Sequence, residues 1–381
     1  MFSITQTPLK IDGNRCILAL GTDTRPGLCW IDKKTLFHLS PRREVDDMDD
    51  FYRQAAVLVV RRYRVRPSVV AFDPHPHFAC QRLASSLKEK FFPSARLAAV
   101  YHHWAHVANF VIDIARPLPF IGVAFDGTGF GADGRVWGGE FFSCTRRGFK
   151  RLAHLKYQPL AGNEAAIREP WRLAFGILKT ASCGRGHRPR AAFLEHIPKE
   201  KLRIVDRMID QGFQTPMTSS AGRLFDAAAA LLGLVRFSSK QAEAAQSVEK
   251  AAFSCRLDVP GYPVRLVTEA SGCLVLDTGD LFCRMRQDLA RHAAPGVIAR
   301  KFHYAVAGGI FEVCRRLAER CGTLRVYVSG GVFMNRILRE RMRELFAKSR
   351  LRLMIPAPEH MTDDAIARGQ IGYCLMRQSG V

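Results

Sequence analysis

Phe120-Ile121-Gly122-Val123-Ala124-Phe125-Asp126-Gly127-Thr128-Gly129-Phe130-Gly131 is the stretch on which the reading of this chain turns. A short apolar run that stops at a carboxylate reads as a buried strand. The glycines behind Asp126 read as a turn at the strand end, where backbone amides without a Cβ in the way can approach a phosphate closely. Val136-Trp137-Gly138-Gly139-Glu140-Phe141-Phe142 then offers a hairpin partner. Ahead of the run, Arg116-Pro117-Leu118-Pro119 punctuates the chain and separates two lobes, residues 1–116 and 117–381. A length of 381 residues is long for one core and agrees with that division.

In the first lobe, residues 1–14 read as a loose lead-in. Cys16-Ile17-Leu18-Ala19-Leu20 and Leu28-Cys29-Trp30-Ile31 read as a strand and its return, joined through Gly21-Thr22-Asp23-Thr24. A helical period follows from Asp47 to about Tyr63, then strand 68–72, helix 79–86, strand 97–100 and a histidine-bearing helix. The second lobe starts with the opening stretch. It continues through helical patterns at 165–180, 200–211, 222–235, 241–253, 280–292 and 297–320, and returns to strands at 324–328 and 351–355, each followed by a helix. The expected fold is therefore a duplicated α/β plan, with a mainly helical insertion over about 160–320 of the second lobe.

Apolar residues at 48% and charged residues at 24% are ordinary globular usage, so nothing marks the chain as disordered or fibrous. Lys and Arg outnumber Asp and Glu by 57 to 35, for a net charge of +22. The basic residues are spread along the chain without a long tract, which argues against a nucleic-acid partner and leaves nucleotides, acidic protein tails or an acidic surface. The N-terminus lacks a signal pattern, and no apolar run approaches a membrane span. With eleven cysteines and no Cys-x-x-Cys pair, the expectation is a cytoplasmic protein with mostly free thiols.

Three groups of residues can carry chemistry. In His102-His103-Trp104-Ala105-His106, the imidazoles of His102 and His106 are four residues apart and share one face of a helix, the spacing by which a helix gives two nitrogen ligands to one metal. Asp126 and Asp363 are the candidate carboxylates, and His75 and His77 are further donors unless Asp73-Pro74-His75-Pro76 is only a rigid turn. Such a set suits Zn, Fe or Mn; a capping histidine beside a satisfied core histidine is the alternative. The second group is the pair of glycine turns, Gly127-Thr128-Gly129 and Ser329-Gly330-Gly331-Val332-Phe333-Met334-Asn335. Third is Ser219-Ser220-Ala221-Gly222-Arg223-Leu224-Phe225-Asp226, either a ribose or phosphate site or an N-cap at Ser220 with an Arg223–Asp226 ion pair.

Taken in order, Asp73-Pro74-His75-Pro76, His102 to His106, Phe125 to Gly131, Trp137 to Phe141, Arg168-Glu169-Pro170-Trp171-Arg172, Ser219 to Ala227 and Ser329 to Asn335 resemble the C-terminal carbamoyl-transferring module of the hydrogenase maturation family HypF, from about Ile17 to Met376. The tRNA threonylcarbamoyl-transferring proteins and antibiotic O-carbamoyltransferases are similar in fold. The resemblance implies a two-lobed actin-like (ASKHA) ATPase fold. It also implies one divalent metal, Zn, Fe and Mg not being distinguished, held by His102, His106 and Asp363 with Asp126 close by or ligating. His102, His106 and Asp126 are the implied catalytic residues. An ATP or AMP moiety is implied at Gly127, Thr128, Gly129, Arg223, Asp226, Ser329, Gly330, Gly331 and Asn335. The implied reaction moves a carbamoyl group from carbamoyl-adenylate, derived from carbamoyl phosphate and ATP, to the C-terminal cysteine of HypE for the cyanide ligands of NiFe-hydrogenase. The rival readings are carbamoyl phosphate or ATP hydrolysis, small-molecule O-carbamoylation, a non-catalytic scaffold for HypE, and tRNA threonylcarbamoyl transfer.

The chain also departs from the family pattern. The acylphosphatase, zinc-finger and YrdC-like parts of complete HypF have no counterpart here, so a stand-alone short form that receives its carbamoyl-adenylate is expected. Asp363-Asp364-Ala365 replaces Asp-Gly-Gly, Gln241-Ala242-Glu243 exchanges an acid and a glutamine, Asn163-Glu164 replaces Gly-Asp, and Trp104 stands where a third histidine is common.

Overall fold

The computed structural model describes residues 2–9, 16–114, 118–181, 192–240 and 242–378. The first lobe runs β1 (Phe2–Pro8), β2 (Ile17–Gly21), β3 (Pro26–Asp32), β4 (Thr35–Pro41), α1 (Met48–Val57), β5 (Val69–Phe72), α2 (Ala79–Lys90), β6 (Arg96–Ala99) and α3 (His102–Ala108). Its sheet is ordered β1-β4-β3-β2-β5-β6. β2, β3 and β4 are antiparallel neighbours, while β5 and β6 are added in parallel through helical crossovers.

Residues 2–8 correct the expectation of a loose lead-in. They form β1, paired with β4 from Phe2↔Pro41 to Pro8↔Thr35. The strand escaped detection because it lies at a sheet edge, and Thr5, Gln6, Thr7 and Pro8 point polar or exposed groups outward without an apolar alternation. Residues 10–14 of that segment, Arg116-Pro117 of the lobe boundary and Gln241 lie outside the described residues.

The second lobe begins with β7 (Phe120–Phe130), β8 (Val136–Thr145) and β9 (Gly148–Leu155), then the short β10 (Gln158–Pro159), α4 (Glu164–Arg168), α5 (Trp171–Thr180), α6 (Lys199–Gln211), β11 (Met217–Thr218), α7 (Ala221–Leu231) and α8 (Glu243–Phe253). It continues with the hairpin β12 (Arg265–Thr268) and β13 (Leu274–Asp277), α9 (Gly279–Ala290), α10 (Pro295–Cys321), β14 (Arg325–Ser329), α11 (Arg336–Ala347), β15 (Arg352–Met354) and α12 (Ile366–Gln378). In the main sheet, β12-β13-β9-β8-β7-β14-β15, the stretch β9-β8-β7-β14-β15 repeats the order β4-β3-β2-β5-β6 of the first lobe. That repeated two-lobed α/β plan is the actin-like architecture. The β12–β13 hairpin, which extends the sheet beyond β9, was not foreseen inside the helical insertion.

Three apolar cores divide the labour. One lies on the outer face of the first sheet beneath α1 and α2, with Trp30, Tyr52 and Leu87 buried. Another joins the second sheet to the helical insertion around Phe125, Phe225 and Phe302. Between the two sheets, a third gathers Val107, Ala108, Phe120, Phe142, Ile371 and Cys374. α12 packs there against α3 and β2. The end of the chain therefore returns to the first sheet, and this return positions the functional site.

Candidate metal centre

The site is built around α3. Three glycines let neighbouring backbone press against it. A Cβ on Gly369 of α12 would meet the Ala105 carbonyl oxygen at 1.9 Å, one on Gly372 the Ala108 carbonyl oxygen at 2.2 Å, and one on Gly122 of β7 a Val107 methyl at 2.2 Å. α3 is thus clamped between β7 and α12, with its His102 and His106 rings 4.9 Å apart. Both rings are buried, as is Asp126. Asp126 was expected at a strand end followed by a turn. Instead β7 continues to Phe130, and its register against β8 shifts between Phe125 and Gly129, so the glycines form a bulge within the strand. The bulge turns the Asp126 side chain toward α3 without ending the ladder.

His102 Nε2 lies 3.4 Å from Asp126 Oδ2 and 3.4 Å from Asp363 Oδ1. His106 Nε2 lies 3.4 Å from Asp126 Oδ2 and 3.3 Å from Asp363 Oδ1. All four ligand atoms fall within 4.8 Å of one another. Asp363 sits in the short 3-10 turn Asp363–Ala365 at the start of α12. Each carboxylate is also held from behind: the Gly331 amide donates to Asp126 Oδ1 at 2.9 Å, and the Thr24 hydroxyl to Asp363 Oδ2 at 2.7 Å. On the far side of His102, Nδ1 is 3.3 Å from Asp73 Oδ2.

Charge in this cluster is under tension. Burial works against protonation of His102, but Asp363, Asp126 and Asp73 outweigh it and raise its pKa well above the ordinary histidine value. His106 is also raised, burial being outweighed by Asp126 and Asp363. Asp126 is held well below the ordinary carboxylate value, and Asp363 also below it, because the imidazoles overcome burial. The adjacent His103 moves the other way, pushed well down by burial and by His102, and stays neutral. Both Nε2 atoms at the centre are buried without a hydrogen-bond partner. Two orphaned ring nitrogens converging with two carboxylate oxygens form a donor set that fits a divalent cation. Asp73 is the outer partner that commonly fixes the tautomer of a ligating imidazole.

The expected nucleotide residues divide into two groups. Gly127, Thr128 and Gly129 form the bulge, and a Cβ on Gly127 would come within 3.7 Å of the Arg223 guanidinium. Ser220 caps α7 by accepting from the Arg223 amide at 3.1 Å, and its hydroxyl reaches the carbonyls of Asp126, at 3.1 Å, and Gly127. Ser329 ends β14, and Gly330, at φ 107°, sits so close to β7 that a Cβ would meet the Phe125 carbonyl oxygen at 2.2 Å. These residues, with Gly331, surround Asp126.

Two residues point elsewhere. Asp226 pairs with Arg223 at 3.0 Å in the buried flank of α7. Asn335 caps α11 by accepting from the Leu338 amide at 2.9 Å and donates to His303 Nε2 at 2.9 Å. Asp364 is exposed and accepts from the Thr362 hydroxyl at 3.1 Å. Glu243, the first residue of α8, accepts the Ser239 and Lys240 amides of the preceding turn at 2.8 and 3.2 Å.

Sequence reasoning treated Asp73 as a turn residue and gave Thr24 and Glu140, which it placed only in a turn and a strand, no part in the site. Fully buried Glu140 accepts the Gly138 and Gly139 amides at 3.1 Å each and the Ser219 hydroxyl, and pairs with Arg151 at 2.6 Å. It ties β8 to the turn that starts α7. The one available signal was an acid embedded in the otherwise apolar strand of residues 136–142.

A two-lobed actin-like α/β protein with a two-histidine, two-aspartate centre where the lobes meet is the class defined by these observations. The profile described as "Carbamoyltransferase, Kae1-like Domain, second subdomain" matches residues 122–370, and "HypF Kae1-like domain" matches residues 12–113. The chain belongs to the HypF carbamoyltransferase family, of which it represents the Kae1-like module. It is 34% identical to a carbamoyltransferase HypF homolog of Cupriavidus necator over 79% of this chain and 76% of that protein. Against carbamoyltransferase HypF of Rhizobium leguminosarum bv. viciae, identity is 30% over 94% of this chain but only 45% of the relative. A crystal structure of full-length HypF in a phosphate- and nucleotide-bound form superposes with a TM-score of 0.85 at 28% identity, over 97% of this chain and 56% of that one. This chain spans about half the length of the longer relatives. No helix among the described residues is long and apolar enough to cross a membrane.

Proposed function

We propose that this protein transfers a carbamoyl group from a carbamoyl-adenylate, itself derived from carbamoyl phosphate and ATP, to the C-terminal cysteine of HypE in the maturation of NiFe-hydrogenase. The observation that carries this reading is the convergence of His102, His106, Asp126 and Asp363 in a chain of the HypF family. His102 and His106 through Nε2, with Asp126 and Asp363 through one oxygen each, would hold one divalent cation. Two imidazoles favour Zn or Fe over Mg, which prefers an all-oxygen shell. Bound there, the cation would polarise a carbonyl or offset phosphate charge.

The chain's own groups do the rest. The Gly127–Gly129 bulge, the Gly330–Gly331 turn and Arg223 line the approach to Asp126 with amides and one guanidinium, suited to an adenylate phosphate. Asp73 keeps the His102 ring in one orientation, and Gly331 and Thr24 restrain the two carboxylates. Reaction requires thiolate attack on the carbamoyl carbon and departure of AMP, with the thiol proton passing to solvent or a base. The net positive charge of the chain favours approach of an anionic tail. The nucleotide-bound HypF relative supports an ATP-derived ligand.

The test supplies the purified chain with carbamoyl-adenylate generated by a separate adenylating protein, and follows HypE by intact mass. One added carbamoyl group, lost with His102→Ala/His106→Ala, is the expected outcome. Phosphate or AMP release with no change in HypE would replace this reading with hydrolysis. Binding of HypE without turnover would replace it with a scaffold, and salt-sensitive binding of tRNA would favour the tRNA-modifying alternative.

A further inference from the structure

The β12–β13 hairpin brings a second group of donor atoms together, away from α3. Glu269 and Cys273 flank its turn, which is closed by the Glu269 amide on the Cys273 carbonyl at 2.9 Å and the Gly272 amide on the Glu269 carbonyl at 2.8 Å. Arg320 of α10 anchors the tip through the Gly272 carbonyl at 3.0 Å. β13 lies parallel to β9 with Val275 beside His154, so the imidazole projects under the turn. His154 Nε2 is 3.7 Å from Glu269 Oε1, and a His154 ring nitrogen, a Glu269 oxygen and Cys273 Sγ all lie within 4.8 Å of one another.

We propose that His154, Glu269 and Cys273 form a second metal site, selective for a thiophilic divalent cation such as Zn2+, that fastens the edge hairpin to β9. A buried imidazole, a carboxylate and a sulfur are a three-ligand set with one position left for water. His154 Nδ1 is 2.7 Å from the Leu155 carbonyl oxygen, an arrangement that places the proton on Nδ1 and leaves the Nε2 lone pair for the site.

The surrounding charges support the same assignment. His154 is buried, with the Arg151 guanidinium as its nearest strong positive charge. The charge of Arg151 is itself answered by Glu140 at 2.6 Å and Asp133 at 3.1 Å, so it does not stand uncompensated beside the cation. Cys273 is half-buried, and its thiol is raised chiefly by burial. Binding therefore releases one thiol proton to solvent as the sulfur–metal bond forms. The site is chemically distinct from the α3 centre, which has no sulfur donor.

Cobalt separates the two. The full chain, stripped by chelator under reducing conditions, is titrated with Co2+ and followed in the near ultraviolet, where only thiolate-bound cobalt gives a charge-transfer band. The band should appear in the wild type and in His102→Ala/His106→Ala, and should be lost in Cys273→Ser and His154→Gln. A band that survives Cys273→Ser, or that never forms in the wild type, overturns the proposal. Should either hairpin variant fail to fold, alkylation of Cys273 in the wild type decides the matter: Zn2+ should slow it roughly tenfold or more, as expected when a thiolate is sequestered by a metal. An unchanged alkylation rate excludes the site.

Discussion

Asp73 Oδ2 lies 3.3 Å from Nδ1 of His102, on the side of the ring opposite Asp126 and Asp363. The same carboxylate accepts the His75 amide at 3.2 Å, which locks the end of β5 to α3. Asp73→Asn keeps the shape but weakens the orientation and basicity of the imidazole. Metal affinity at the α3 centre should fall about 10–100-fold, the usual effect of losing such an outer partner, while the unfolding midpoint moves little. Chelator competition measures the first and thermal unfolding the second; unchanged affinity would show that Asp73 only shapes the turn.

The α3 centre should account for one metal equivalent. In a Cys273→Ser background, where the hairpin site is disabled, elemental analysis should find about one equivalent before and none after His102→Ala/His106→Ala, because two of the four ligands are gone. Retention of metal in that triple variant would remove His102 and His106 from the site.

Gly369 tests the packing that presents those histidines. A methyl group there meets the Ala105 carbonyl oxygen at 1.9 Å, so α12 must shift away from α3. Gly369→Ala should cost about 1–3 kcal/mol, the range for overpacking, although alanine is the better helix former. Since Asp363 leads into α12 and His106 follows Ala105, metal affinity should drop together with stability. Urea unfolding paired with metal titration reads both. A stabilised variant with intact affinity would show that the two helices approach less closely than described.

Acid stability should depend on His303. This residue is fully buried, accepts from Asn335 Nδ2 at 2.9 Å, and has its pKa pushed down by burial to about 4. Below the unfolded value of about 6.5, the unfolded chain binds a proton that the native chain refuses until about pH 4. Its contribution is therefore complete above the upper value and is lost as pH falls through this window, up to roughly 3 kcal/mol at about 1.4 kcal/mol per unit. Replacement by Gln removes the titration. Urea midpoints measured from pH 7 to 4.5 should fall less steeply in His303→Gln than in the wild type; parallel curves would contradict the assignment.

Much of this architecture was legible because it rests on local periodicity. The spacing of His102 and His106 places both rings on one helix face, and the apolar run 120–125 could only be a buried strand. The alternating strands and helices announced a duplicated α/β plan. The reading of Ser220 as a cap and of Arg223 with Asp226 as an ion pair also proved structurally apt. β1 was missed because an exposed edge strand has no apolar alternation to betray it. The glycines after Asp126 were read as a turn because a bulge and a turn share the same composition.

What the sequence determined by itself was therefore which side chains share an element and which segments seek a core. It did not determine that Asp363, at the head of the last helix, meets Asp126 across α3. That meeting depends on α12 returning to the first sheet, and on Gly122, Gly369 and Gly372 allowing backbone to close on α3 from two sides. Nor could it show that Asp73 and Thr24 stand behind the ligands, or that Cys273 lies over His154. These contacts join residues far apart along the chain, so only packing, in which burying apolar surface fixes the relative positions of whole elements, brings them together.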